Sequence, residues 1–154
     1  MIRRGVAGEA TAAFLLLYLT VLFVTHLDGG QVVEQQTAIS IFTGALVACL
    51  IYTFDAISGA HFNCAFTYMA WLCGRISSLR LVAYTATHLV AMPLGVAFAR
   101  FVVGDAAFAK VNGAANAVQP RFTATQSVGL EVGMTATVFL TCCACMDNVR
   151  ANNG

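Results

Sequence analysis

Charge is what this 154-residue sequence has least of: Asp, Glu, Lys and Arg make up 10% of it, where a soluble domain carries about a quarter. A chain that is 59% hydrophobic, with a mean hydropathy of +0.79, has too little polar surface to cover a core in water. Charge of one sign is also missing. Eight basic residues stand against seven acidic ones, which leaves no basic stripe for nucleic acid and no acidic tail. The signatures of catalysis are absent too, with no Ser-His-Asp order, no glycine-rich phosphate loop and no HExxH element, so no enzyme is expected. Six cysteines are present, but Cys49, Cys64, Cys73, Cys142, Cys143 and Cys145 lie in or beside apolar runs. Thiols there behave as small hydrophobes, and no disulfide is expected. Cys142, Cys143 and Cys145 form Cys-Cys-x-Cys without the second ligand pair of a structural zinc site. Packing is their expected role, with no metal and no cofactor.

What the sequence does have is long uncharged stretches. Residues 10–27 carry no charge, matching the roughly 20 apolar residues that cross a hydrocarbon core. A run behind Arg3 and Arg4 has the outline of a secretory signal, but it is longer than such a signal's apolar region and ends without a small-x-small cleavage site. It reads as an anchoring span. A polar turn with Asp28, Gly29, Gly30 and Glu34 leads to a second span, residues 38–54, ending before Asp55. Residues 81–99 form a third, and residues 127–146, charged only at Glu131, a fourth. The apolar piece at residues 64–74 is too short to cross, at about 15 Å, and reads as a re-entrant half-helix. The expectation is an all-α membrane protein forming a single domain over residues 1–154, integral and multi-pass in the lipid bilayer. Alternating spans put Arg3, Arg4, Arg75, Arg80 and Arg150 on one side and Arg100, Lys110 and Arg121 on the other, which places both ends in the cytoplasm. Residues 104–126, with Gly104, Asp105, Gly113, Asn116 and Pro120, are expected to form an extracellular loop with little regular structure.

Residues 57–67, Ile-Ser-Gly-Ala-His-Phe-Asn-Cys-Ala-Phe-Thr, carry the most specific information. Non-helical backbone at membrane depth is tolerated only where it is buried in protein or lines water. Gly59 and Ala60 allow extended, close-packed chain. His61 and Asn63 add polar groups where a short helix begins and its unpaired N–H groups point at whatever fills the space. Such a site suits water or a small uncharged solute and repels cations. Asn63 also has a plainer reading as a helix cap. The side chain of His61 reads as a structural hydrogen-bonding partner rather than a metal ligand, and Asp55 as a solvated charge.

The run Ser-Gly-Ala-His-Phe-Asn-Cys-Ala-Phe-Thr resembles the first signature loop of the aquaporins, the major intrinsic protein family, Ser-Gly-x-His-x-Asn-Pro-Ala-Val-Thr. The flanks agree: Glu9 in the first span, Gly44 in the second, Gly-Arg-Ile-Ser at residues 74–77, and Glu131 with Asp147 and Arg150 around the fourth. Gly8-Glu9 and Leu130-Glu131 echo one another, as expected of inverted repeats. The resemblance implies a channel for water or small neutral solutes, lined by Asn63, Cys64, Ala65, Gly59, Ala60, His61 and Thr43, with the Asn63 amide donating to the solute. A small Thr43 in the constriction leans towards a solute-permissive pore. Glu9 and Glu131 would be structural anchors that accept loop N–H groups, and which loop Glu9 holds is open. Cys64 replaces the family's proline, which pre-sets the first helical turn. His88 stands where many members have glutamine, either as a pore residue or as a buried, hydrogen-bonded histidine. The family's second Asn-Pro-Ala loop has no counterpart here, so the resemblance implies a channel incomplete as this chain, a homo-oligomer if functional. The alternatives are a non-conducting truncated protein that associates with other membrane proteins, and a membrane redox or metal-binding protein using Cys142, Cys143 and Cys145.

Overall fold

The computed structural model describes residues 2–28, 33–118 and 121–151, with side chains described as far as residue 144. Gly29, Gly30 and Pro120 lie outside the described residues, and so do the side chains of Cys145, Asp147 and Arg150. Every element is helical: α1 Ile2–His26, α2 Val33–Ser58, α3 Cys64–Leu72, α4 Ser78–Val103, α5 Asp105–Lys110, a 3-10 turn at Asn112–Ala114, and α6 Ala124–Ala151. Helices satisfy their own backbone groups, which a bilayer demands. Four of them are long and apolar enough to cross one. The chain divides into two units, Met1–Ala115 with α1 to α5, and Asn116–Gly154 with α6.

Most of the helix ends lie outside the uncharged runs that announce them. α1 continues N-terminally through Glu9 to Ile2 instead of starting at residue 10, because Glu9 is buried and partnered rather than left at the membrane surface. α4 starts where Ser77 accepts the Arg80 N–H at 3.3 Å and stops at Gly104, whose φ of 82° a side chain would resist. Pro93 sits inside α4, as transmembrane helices tolerate. The half-helix α3 is nine residues long and ends two residues before the expected boundary.

The expectation of little regular structure in residues 104–126 is corrected by α5 and the 3-10 turn. The weight given to Gly104, Gly113 and Asn116 hid a helix-compatible Asp-Ala-Ala-Phe-Ala-Lys run. Asp105 opens it and Lys110 closes it, each charge at the end favoured by the helix dipole. Both charges also reach outward: Arg100 Nε donates to Asp105 at 2.6 Å, and Lys110 meets Asp28 at 2.9 Å.

In the first unit small residues let helices approach. A Cβ built on Gly95 of α4 would lie 2.5 Å from the Phe14 carbonyl oxygen of α1. Phe14 and Tyr18 meet Phe98 across the same seam, and Phe23 of α1 stacks on Phe42 of α2 at 3.9 Å. The core gathers Ala12 and Ala13 of α1, Leu50 of α2, Ala91 of α4, and Ala60 and Phe62 from the segment between α2 and α3. That segment is therefore inside the bundle. Large apolar side chains such as Val82, Leu89 and Phe101 face outward, as a lipid-facing surface requires. In the second unit α6 exposes Val128, Val132 and Leu140.

Candidate functional site

The site is built where α2 ends. Gly59 has a φ of 93°, Ala60 49° and Phe62 27°. The left-handed region suits glycine, and a non-glycine residue held there costs about 1–3 kcal/mol. Surrounding groups must impose the shape. Ser58 Oγ accepts the Ala60 N–H at 3.2 Å, and the Tyr84 hydroxyl donates to the Ser58 carbonyl at 2.8 Å. Glu9, wholly buried on α1, accepts the His61 N–H on Oε1 at 3.0 Å and the Phe62 N–H on Oε2. His88 of α4, also wholly buried, donates from Nε2 to Oε2 at 2.8 Å. One carboxylate thus ties α1 and α4 to two consecutive N–H groups of the loop.

The expected site residues fall into three groups. Ala60 and His61 are buried, and His61 Nδ1 lies 3.2 Å from Thr67 Oγ1. Because that hydroxyl donates to the Asn63 carbonyl at 3.0 Å, the His61 ring donates to it. Asn63 and Ala65 are exposed, with Gly59 and Cys64 half-buried between the groups. Asn63 has extended backbone and caps α3, its Oδ1 accepting the Ala65 N–H at 2.8 Å. Capping occupies the amide oxygen and leaves the amide N–H donors without a hydrogen-bond partner among the described residues. The cap, which is the plainer reading of Asn63, also fixes the direction of those donors. Thr43 stands apart: half-buried on α2, it returns its hydroxyl to the Ile39 carbonyl at 2.8 Å.

Glu9, left open between two loops in the sequence, holds the loop of its own half. Glu131 is exposed on α6 and has no hydrogen-bond partner among the described residues. His88 is buried and hydrogen-bonded, and its other ring nitrogen, Nδ1, lies 3.9 Å from Cys64 Sγ. Ser58 and Tyr84 are the loop supports that sequence reasoning missed. Tyr84 lies four residues before His88, on the same helical face, which was the available signal. Cys49, Cys64, Cys73, Cys142 and Cys143 are not in disulfides.

Four membrane-length helices and a half-helix entered through a buried, carboxylate-held loop define an integral, multi-pass membrane protein of the re-entrant kind. The model of the major intrinsic protein family matches residues 1–154, and the chain belongs to that family. It is 31% identical over 137 residues to "Probable aquaporin PIP-type 7a" of Pisum sativum, covering 84% of this chain and 46% of that protein. It is 33% identical over 135 residues to "Aquaporin PIP1-6" of Zea mays, covering 84% and 44%. With "Aquaporin-8" of Rattus norvegicus it shares 32% identity over 101 residues, covering 65% and 38%. The chain spans about half the length of the curated plant relatives it matches.

Proposed function

We propose that these residues form one wall of a transmembrane channel for water or small neutral solutes, and that its two units belong to one aquaporin-like membrane domain. The single observation that carries this reading is Asn63: its side-chain oxygen is committed to the α3 cap while its amide N–H groups stay exposed at the head of a half-helix. A donor so fixed can pass a hydrogen bond to a solute oxygen without reorganising. Gly59, Ala60 and His61 would offer carbonyl oxygens along the approach, and Cys64 and Ala65 the wall beside the amide. The half-helix N-terminus adds a partial positive charge that discourages cations. Thr43 would line the wider approach. Glu9 would serve as the anchor that holds the loop, and Glu131 as the equivalent for an opposed loop. A closed path needs polar backbone on its far side as well; for these residues to conduct by themselves, a homo-oligomer would have to supply it. The names of the relatives support the same reading.

The test is a chimaera in which these residues replace the matching segment of the Zea mays relative, reconstituted into vesicles. Osmotic swelling above that of empty vesicles, abolished by Asn63→Asp, is the expected result. A chimaera that inserts intact yet swells no faster than empty vesicles would overturn the channel reading in favour of a non-conducting, associating protein.

A further inference from the structure

Two departures from the family resemblance, Cys64 for proline and His88 for glutamine, are separated by 24 residues in the chain and are neighbours in space. Cys64 Sγ lies 3.9 Å from His88 Nδ1, and His88 Nε2 lies 2.8 Å from Glu9 Oε2. Glu9 also accepts two loop N–H groups, so its oxygens act as acceptors and the ring nitrogen facing it is the donor. That assignment leaves Nδ1 of a neutral ring with its lone pair towards the sulfur. His88 and Glu9 are wholly buried, whereas Cys64 is half-buried at the exposed start of α3. A nucleophile reachable from outside, a base behind it and a carboxylate orienting the base is the arrangement by which weak nucleophiles are activated.

We propose that Cys64, His88 and Glu9 form a thiol site that reacts with small hydroperoxides, with His88 taking the thiol proton as the sulfur attacks. Hydrogen peroxide is neutral and little larger than water, so it reaches what water reaches. Cys64 Sγ attacks one peroxide oxygen, the S–O bond forms and the O–O bond breaks. The sulfur is oxidised to a sulfenic acid while the peroxide is reduced. The thiol proton moves to His88 Nδ1 and on to the departing hydroxide, which leaves as water. Cys73, exposed at the end of α3 and 3.7 Å from the Met69 sulfur, has no such base among the described residues and serves as an internal reference. The inference does not depend on conduction, since the three residues meet within one unit of this chain.

The full chain in detergent micelles is treated with hydrogen peroxide alone, the sulfenic acid is trapped with dimedone, and each cysteine peptide is timed by mass spectrometry. Cys64 is expected to react about a hundredfold faster than Cys73, the lower end of what a positioned base supplies, and to lose that lead in His88→Gln. The substitution keeps a neutral donor towards Glu9 but removes the base. The comparison within the unsubstituted protein needs no variant, so it decides even if His88→Gln fails to fold. A lead below about tenfold, or one that a folded His88→Gln leaves intact, overturns the proposal.

Discussion

Glu9 and His88 stand 79 residues apart in the chain and meet at 2.8 Å, both wholly shielded from solvent. Between them they fix α1 to α4, and through the second and third hydrogen bonds of Glu9 they hold the loop that presents Asn63. Removing one member of such a buried network costs more than the pair itself contributes, because the partner groups are left desolvated and unpaired.

Glu9→Ala should therefore destabilise the fold by about 3–5 kcal/mol. Unfolding in mixed micelles of increasing SDS fraction measures it. A loss below about 1 kcal/mol would mean that the loop holds its shape through Ser58 and Tyr84 alone.

Gly95→Ala should cost about 1–3 kcal/mol, since its Cβ would lie 2.5 Å from the backbone oxygen of Phe14 and two helices must separate to admit it. Gly44→Ala, where nothing lies within 4 Å, is the matched control and should be neutral or stabilising. Equal effects of the two substitutions would show that the α1–α4 seam is not closely packed.

Asn63→Ser separates the cap from the proposed donor. Serine caps α3 nearly as well as asparagine, so stability should change by no more than a few tenths of a kcal/mol, whereas Asn63→Ala should lose about 1 kcal/mol. In the chimaera, Asn63→Ser should still cut osmotic swelling. Wild-type swelling in that variant would reduce Asn63 to a cap.

Vesicles that hold only these 154 residues should swell at the empty-vesicle rate. The described residues contain one half-helix and one capping amide at its head, and the channel proposed above needs an opposed pair. Faster swelling that Asn63→Asp abolishes would show that copies of this chain complete one another.

Cysteines introduced at Arg75 and Lys110 should label from opposite faces of the membrane, because α4 lies between them and is long enough to cross, whereas the six-residue α5 is not. Labelling from the same face would remove α4 from the set of spans.

The long helices were legible because a bilayer leaves one economical way to bury a backbone, and uncharged runs announce it. Their ends were less so. A charge such as Glu9 reads as a boundary until its partners are known, and these lie 52, 53 and 79 residues away. Asn63, Ala60 and His61 could be named because the loop resembles the family's first signature loop. Tyr84 and Ser58 were not named: the four-residue step from Tyr84 to His88 marks a shared helical face, but nothing local tells that the Tyr84 hydroxyl pins a carbonyl 26 residues distant. The short α5 was hidden by the glycines around it, which mark where chains turn and say little about the six residues between turns.

The three donors that Glu9 collects also impose an order on synthesis. The carboxylate enters the membrane with the first helix, yet the N–H groups of His61 and Phe62 follow 52 and 53 residues later and the His88 ring only after 79. At about 5–20 residues per second, that is a wait of roughly 4–16 seconds between the arrival of Glu9 and that of its last partner. An unpaired carboxylate inside a membrane-length helix is expensive for that long. The first helix by itself should therefore be a poor insert, gaining its full stability in lipid only once the loop and α4 can meet Glu9.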